Sequence, residues 1–189
     1  MTTLMIVLAI AALFVLWIIG LFNSLVTLKN RVKEAWSDID VQLKRRYDLI
    51  PNLIESVKGY MSHEKSLLET ITQYRSQAMS AKDSGDTEGR GKLEGLLSGA
   101  IGKLQVAFEA YPDLKANQNV AQLMDELSDT ENKIQSSRRF YNGNVRDFNT
   151  KIERFPANLI AGMLKFTAFK FFEVENEVER QNVKVDLSA

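Results

Sequence analysis

The first feature of the chain is a long apolar run near its start. Residues 4–22 contain no charged residue and no proline, and consist almost entirely of aliphatic and aromatic side chains. At about 1.5 Å of rise per residue, a helix of this length crosses a hydrocarbon core of roughly 30 Å. The pattern therefore predicts a transmembrane helix over residues 4–22.

A cleaved signal peptide and a buried core helix are the alternatives for this run. A signal peptide begins with basic residues and ends at a small-x-small cleavage site. Only Met1, Thr2 and Thr3 precede the run, and its one small-x-small triplet, residues 9–11, comes too early. The absence of cysteine excludes lipoprotein processing. An uncleaved anchor fits the sequence best, and a factor released from its anchor is kept as a further alternative.

The charges that follow the run suggest an orientation. Lys29, Arg31 and Lys33 are the first basic residues after it. Because basic residues favour the cytoplasmic side, we expect the N-terminus outside and the following domain in the cytoplasm, with a periplasmic or extracellular domain as the alternative. The same side chains could contact anionic lipid head groups. The chain is thus expected to be a single-pass protein of the bacterial inner membrane.

Beyond the run, apolar residues recur every seven positions, in two rows offset by four. One row begins at Leu25 and the other at Trp36. This spacing is typical of coiled-coil-like helices packed on other helices. The pattern passes Pro51 without losing phase, which favours one helix from the membrane to about residue 81, kinked near Pro51. A break at Ile50 and Pro51, giving two helices, is the alternative.

Three further helices follow in the prediction. Residues 82–90 have the composition of a turn, and a second helix ends at Tyr111 and Pro112. A third helix begins at Asn117 or Asn119 and runs to about Arg154, and a short apolar helix follows over residues 157–164.

The predicted fold class is therefore all-α. An N-terminal transmembrane helix leads into a long kinked helix and an antiparallel bundle of three to four helices. We divide the chain into an anchor over residues 1–28, a helical bundle domain over 29–165 and a C-terminal tail over 166–189.

The predicted lengths leave part of the first helix uncovered. The second helix is less than half as long as the first beyond the membrane, so the apolar stripe around Val32, Trp36 and Ile39 would be bare. A stripe of this size usually has a partner. Either the chain folds back at Pro51 or other copies of the chain pack there.

Two sets of residues are candidates for an interaction site. Gly91, Gly95 and Gly99 recur every four residues, which indicates close approach of a neighbouring helix because glycine otherwise weakens a helix. Charged residues also fall in the apolar rows, and buried ions need partners. We expect a polar layer that fixes helix register, with a polar pocket or docking site as the alternative, formed by Arg45, Arg46, Asp48, Glu131, Arg138 and Arg139.

Composition argues against several functions. The chain has 24 basic and 24 acidic residues, so no basic field indicates nucleic-acid binding. The one histidine, His63, stands outside any metal or catalytic motif, and no P-loop or nucleophile elbow is present. The acidic residues Glu173, Glu175, Glu177 and Glu179 fit a charged tail better than a cation site. We expect no enzyme activity, no cofactor and no metal.

Specific strings then show a resemblance to a known family. The string Arg45-Arg-Tyr-Asp-Leu-Ile-Pro-Asn-Leu53 is the most distinctive part of a match over residues 25–53. Further matching residues are 57–60, 63–64, 131–142, 145–149 and 155–158. Together they resemble the LemA family of bacterial membrane proteins over nearly the whole chain.

The resemblance implies a single-pass anchor joined to an antiparallel bundle of about four helices, and it assigns no reaction. Only motif positions carry over, namely Arg45, Arg46, Asp48, Pro51, Asn52, Glu131, Arg138, Arg139, Tyr141 and Asn142. We expect a membrane-anchored scaffold or interaction protein that contacts the lipid bilayer, copies of itself and an unknown protein partner. A ligand- or cation-binding sensor that uses the polar layer is the alternative.

Overall fold

The computed structural model describes residues 1–83 and 87–173, and all regular structure within these ranges is helical. The helices are α1 (Thr2–Val57), α2 (Lys65–Asp83), α3 (Thr87–Phe108), α4 (Pro112–Ala116), α5 (Gln118–Glu153) and α6 (Ala157–Met163). A short 3-10 helix, Ser62–Glu64, precedes α2. The all-α fold class is confirmed.

Both predictions for Pro51 are wrong, because the first helix neither breaks there nor continues to residue 81. α1 passes through Pro51 and ends at Val57. Pro51 is exposed, so the hydrogen bond that it cannot donate is missing on the solvent side of the helix. The chain then returns through residues 58–64 and packs α2 against α1, where Arg75 Nε donates to the Tyr47 carbonyl at 2.7 Å.

The connecting residues explain why the pattern concealed this reversal. The connection has seven residues, 58–64, so the seven-residue spacing from Val57 resumes at Ile71 and Ala78 as if no break existed. The local signal was Gly59, which lies in the turn after α1 and is rarely placed inside a helix.

The later helices agree closely with the prediction. Asn117 Oδ1 accepts hydrogen bonds from the amides of Asn119 and Val120 at 3.1 and 3.4 Å, so Asn117 caps α5. α5 and α6 have nearly the predicted bounds. The one-turn helix α4 was not predicted, and part of the predicted turn, residues 84–86, lies outside the described residues.

The chain divides into two compact units, which are described separately. The anchor unit comprises Met1–Val41 and Gln135–Phe171. The second, called the core unit, comprises Gln42–Ile134 and the C-terminal residues from Phe172 onward, of which the structure describes Phe172 and Glu173.

In the anchor unit, the stripe that was expected to be bare is covered. Leu25, Val32 and Ile39 are all buried. The C-terminal half of α5 packs beside α1, with the rings of Trp36 and Tyr141 5.2 Å apart. α5 therefore covers this stripe, and neither a fold-back at Pro51 nor another copy of the chain is needed there.

Residues 166–171, which the sequence assigned to the tail, pack on α5 without forming a helix. The side chain of Asn149 donates to the Phe169 carbonyl at 2.9 Å and accepts from its amide at 3.0 Å. Tyr141 donates its hydroxyl to the Lys170 carbonyl at 2.9 Å. Residues 174–189, including Glu175, Glu177 and Glu179, lie outside the described residues.

The core unit contains the end of α1, the helices α2 to α4 and the first part of α5. Its buried apolar residues come from each of these helices and include Leu43, Ile50, Ile71, Leu97, Ile101, Leu114 and Leu127. Four buried polar or charged residues also lie among the described residues, Arg46, Arg90, Glu94 and Thr130. Three of them belong to one cluster.

Candidate functional site

The centre of this cluster is the guanidinium of Arg46, which is fully buried in α1. Its Nη1 donates to Glu131 Oε1 of α5 at 2.6 Å, and its Nη2 forms a short ion pair with Glu94 of α3. One side chain therefore links three helices of the core unit. The forked arrangement of donors in arginine suits such bridging, because the nitrogens can reach two carboxylates at once.

Neighbouring side chains occupy the remaining positions on these carboxylates. Tyr47 donates its hydroxyl to Glu94 Oε1, and Arg90 Nε lies 3.6 Å from the same oxygen. Ser98 accepts from Arg46 Nη1 at 2.8 Å and donates to Glu131 Oε2 at 2.7 Å. Each carboxylate oxygen of the two glutamates thus has a protein partner.

The cluster is balanced in charge, with two arginines and two glutamates. Burial would lower the pKa of Arg46, but the charges of Glu131 and Glu94 outweigh it and raise that pKa above its ordinary value. Burial also raises the pKa of Tyr47, and the charge of Glu94 and its hydrogen bond raise it further. Arg46 therefore stays charged and Tyr47 stays neutral at physiological pH.

This arrangement is suited to fixing how the helices meet. Buried ion pairs contribute little net stability compared with apolar packing, because both ions lose their hydration. An incorrect register would leave one of these ions without a partner, which costs several kcal/mol. The cluster therefore penalises other alignments of α1, α3 and α5.

The structure places the predicted polar residues in different surroundings. Arg46 and Glu131 meet in the cluster. Arg45 instead lies at the surface, 3.7 Å from Glu126, and Asp48 is exposed. The other two predicted arginines belong to the anchor unit, where Arg138 is half-buried and Arg139 is exposed with Ser136 Oγ 3.4 Å away.

The prediction missed four members of the cluster: Arg90, Glu94, Ser98 and Tyr47. A usable signal was present in α3, whose buried row is Arg90, Glu94, Leu97, Ile101, Leu104 and Phe108, at 4-3-4-3-4 spacing. Neither Arg90 nor Glu94 was among the residues predicted for the polar layer. The heptad that includes them predicts two buried charges.

The glycine row does not behave as a single packing surface. A Cβ at Gly91 would lie 2.5 Å from the carbonyl oxygen of Glu173, so its close neighbour is a C-terminal segment and not the expected helix. Gly95 is buried. At Gly99 a Cβ would meet no described atom within 4 Å.

Two other features of the core unit lie outside the cluster. His63 is exposed on the 3-10 helix, and no group of three or more potential metal ligands occurs among the described residues. An open groove of about 540 Å³ lies between the end of α1 and α2, and its lining includes Ile54, Lys58, Lys65, Leu68 and Thr72. The groove offers a contact surface.

Comparison with known proteins identifies relatives of this chain. Protein LemA of Metamycoplasma hominis is 34% identical over 165 residues, covering 87% of this chain and 74% of that protein. Magnetosome protein MamQ 2 of Paramagnetospirillum magneticum is 23% identical, covering 85% and 67%, and MamQ of Magnetospirillum gryphiswaldense is 23% identical, covering 84% and 67%. The family model for the LemA family matches residues 35–187. This chain belongs to the LemA family.

Proposed function

We propose that the protein is a single-pass, membrane-anchored scaffold or interaction protein of the bacterial cell envelope. The observation that carries the proposal is the exposure of the apolar run. The apolar residues 4–17 of α1 are all exposed. Exposed apolar surface of this extent is stable in a lipid environment and not in water. A buried core helix does not fit this exposure.

The basic residues after the run support an orientation. Lys29, Arg31 and Lys33 follow the last apolar turn, and the positive-inside rule places them in the cytoplasm with the N-terminus outside. Both units would then act from the cytoplasmic face of the membrane.

The buried cluster supports a function by contact and not by turnover. Its two carboxylates accept from Arg46, Tyr47 and Ser98, so they are already occupied by protein donors. A catalytic acid or base needs access to a substrate proton. The cluster gives the core unit one fixed arrangement, which suits a surface that other proteins recognise.

We further propose that copies of the chain meet through the outward face of α3. Leu96 and Val106 are 50% and 76% exposed, and Gly99 lies between them with open space above it. Small residues beside exposed apolar ones allow two helices to approach closely. The groove beside α2 is the second contact surface, and we propose that it receives a different protein.

Membrane anchoring is tested by fractionation of cells that produce the full chain. The intact polypeptide, with the mass of residues 1–189, is expected in the membrane fraction and should resist extraction by alkaline carbonate. Recovery in the aqueous fraction without detergent, or a mass that lacks the apolar run, would overturn the anchoring proposal.

Contact between copies is tested with single cysteines, because the chain has none of its own. Leu96→Cys should give a disulfide-linked dimer in native membranes under mild oxidation. Phe140→Cys is the matched control, because Phe140 is an exposed apolar residue of the anchor unit, and this variant should remain monomeric. Equal amounts of dimer from both variants would contradict a specific α3 contact.

The effect of metal ions on thermal stability in the same membranes distinguishes a scaffold from a cation sensor. A thermal-shift series with divalent metal ions should leave the midpoint of unfolding unchanged for a scaffold. A shift that is present in the unaltered protein and lost in Glu131→Gln would favour the sensor.

A further inference from the structure

The short helix α6 of the anchor unit has one buried face and one exposed apolar face. Ala157 and Ala161 are buried, one turn apart. On the opposite side, Leu159 and Met163 are 60% and 82% exposed. Phe155 and Leu164, immediately before and after α6, are 79% and 52% exposed. These four large side chains, which we name the α6 patch, form an apolar surface around one short helix.

The pairing of α1 with α5 places this patch close to the apolar run. The rings of Trp36 and Tyr141 are 5.2 Å apart, and the ammonium of Lys29 lies 5.4 Å from the ring of Phe166, which also packs on Phe148. Going from Trp36 to Lys29 moves seven residues back along α1. Going from Tyr141 to Phe148 moves seven residues forward along α5, so the two helices run in opposite directions. Both rise about 1.5 Å per residue. By the same step the last residue of α5, Glu153, lies level with Ser24, just past the run.

The burial of residues along α1 supports this alignment of Glu153 with Ser24. Residues 4–17 are exposed all round, whereas Ile18 and Leu21 are half-buried and Leu25 is buried. The body of the anchor unit therefore begins to cover α1 within the last turns of the run. In a membrane-crossing α1, those turns lie at the boundary between acyl chains and head groups.

The charges around the patch suit an anionic lipid surface. Residues 151–171 contain four basic residues and one acidic residue. Arg154 precedes the patch and Lys165 follows it, and both are exposed.

The backbone at Lys165 is unusual for a side-chain-bearing residue. Its φ is 55°, in the left-handed region that favours glycine at the end of a helix. The Lys165 amide donates to Gly162 O at 3.2 Å, and the Phe166 amide donates to Ala161 O at 2.9 Å, which is the hydrogen-bond pattern of a Schellman motif. A lysine here carries a conformational cost that glycine would avoid, and its position puts a cation at the edge of the patch.

We propose that the α6 patch is a lipid-binding surface that inserts into the head-group region of the bilayer crossed by α1, with Arg154 and Lys165 contacting anionic head groups. This inference rests on the anchoring proposed above. Interfacial helices of this type bury their apolar face about 5–10 Å into the boundary region. The patch would then hold the anchor unit against the membrane surface and limit its rotation about α1.

The test uses the full chain, in which a single introduced cysteine is the only one present. Met163→Cys, Leu13→Cys and Phe140→Cys are each labelled with the fluorophore nitrobenzoxadiazole. The labelled proteins are reconstituted into vesicles of phosphatidylcholine and phosphatidylglycerol that carry a spin-label quencher either near the head group or deep in the acyl chain. Leu13 lies at the middle of the run, and Phe140 is an exposed residue of α5 far from the patch.

If the α6 patch binds lipid, the label at Met163 should be quenched more strongly by the quencher near the head group than by the one deep in the acyl chain. The label at Leu13 should show the reverse order, and the label at Phe140 should be quenched by neither. Quenching at Leu13 without quenching at Met163 would overturn the lipid-binding patch and leave the anchor intact, with a protein partner as the remaining occupant. Absence of quenching at Leu13 would overturn the anchoring proposal itself.

The role of the cation is tested separately by adding Lys165→Gly to the Met163→Cys chain. Glycine suits the left-handed backbone, so folding is expected to be preserved and only the charge is lost. In vesicles with phosphatidylglycerol, the partition of the patch into the head-group region should fall about fivefold, as expected for one cation near an anionic surface. In vesicles of phosphatidylcholine alone the substitution should have little effect. An equal effect in both kinds of vesicle, or none in either, would contradict the proposed head-group contact.

Discussion

The terminal nitrogen Nη1 of Arg46 lies 2.6 Å from Glu131 Oε1, although 85 positions separate the two residues in the sequence. This pair joins the end of α1 to the first part of α5, and Ser98 of α3 bonds to both partners. The core unit therefore contains a buried charged contact between residues that are distant in the sequence. Its apolar rows could pack in more than one register, but the charged contact is made in one.

Removal of the central charge should be strongly destabilising. Arg46→Met leaves Glu94 and part of Glu131 buried without their main cation, which typically costs about 3–5 kcal/mol. The free energy of unfolding, measured by urea denaturation in detergent micelles, is expected to fall by that amount.

Arg45→Met is the matched control for this prediction. Arg45 is the neighbouring residue, and it lies 3.7 Å from Glu126 with both side chains about half exposed. Its loss should change the free energy of unfolding by about 0.5 kcal/mol or less. Similar losses from both variants would show that burial does not make the loss of Arg46 more costly than the loss of an exposed arginine.

Tyr47 should give the protein a specific alkaline sensitivity. Burial, the charge of Glu94 and its hydrogen bond raise the pKa of Tyr47 above its ordinary value of about 10. Below that value both the folded and the unfolded chain hold the proton. Above it the unfolded chain releases the proton while the folded chain keeps it. The free energy of unfolding therefore falls by up to about 1.4 kcal/mol per pH unit as pH rises.

The measurement compares Tyr47→Phe with the unaltered chain from about pH 8 to about pH 11, a range that brackets the ordinary pKa of tyrosine. The variant should be less stable by about 1–3 kcal/mol at the lower pH, because Glu94 loses a buried donor. It should also lose a smaller amount of stability as pH rises. Tyr60→Phe, at an exposed tyrosine, should retain the full alkaline slope. Identical slopes for all three proteins would contradict the raised pKa.

The helical rows were predictable because burial repeats along them. Leu25, Val32, Ile39, Arg46 and Leu53 are spaced by seven and are all buried. The reversal at residues 58–64 was not visible in that pattern, because a connection of seven residues preserves the phase of a seven-residue repeat. A periodic signal reports which face of a helix is buried, and it does not report whether the helix is continuous.

The partners within the cluster were less accessible to sequence reasoning. Arg46 and Glu131 stood out because they interrupt apolar rows, whereas Glu94 was not among the predicted residues. The pairing of particular ions depends on the tertiary arrangement of three helices, which local periodicity does not determine. Residues 166–171 show the same limit, because side-chain hydrogen bonds from Asn149 and Tyr141 hold a segment with no repeat of its own.

Asn149 should determine whether that segment stays on α5. Its amide group donates to Phe169 O and accepts from Phe169 N, so Asn149→Ala removes both hydrogen bonds at once. The loss should cost about 1–3 kcal/mol, and the amide of Phe169 should exchange its hydrogen much faster in deuterated buffer.

The control for this prediction is Asn144→Ala. The side chain of Asn144 donates to Phe140 O within its own helix at 2.9 Å, so its loss should not release residues 166–171. Asn149→Asp keeps an acceptor for the Phe169 amide but loses the donor, so exchange should be intermediate. Slow exchange at Phe169 in all three variants would show that packing of the phenylalanine rings alone holds the segment.

Two glycines of α3 should respond to alanine in opposite directions. At Gly91 the new Cβ would lie 2.5 Å from the backbone oxygen of Glu173, which cannot rotate away as a side chain could, so Gly91→Ala should lower stability by about 1–3 kcal/mol. At Gly99 the Cβ meets open space, so Gly99→Ala should raise stability by about 0.5–1 kcal/mol through the better helix propensity of alanine. Thermal unfolding of both variants in the same micelles gives the two signs. If both alanines were stabilising, the Glu173 carbonyl would not lie against Gly91. Under the α3 contact proposed above, Gly99→Ala should also reduce cross-linking through Leu96→Cys, because the added methyl group would keep two copies of α3 apart.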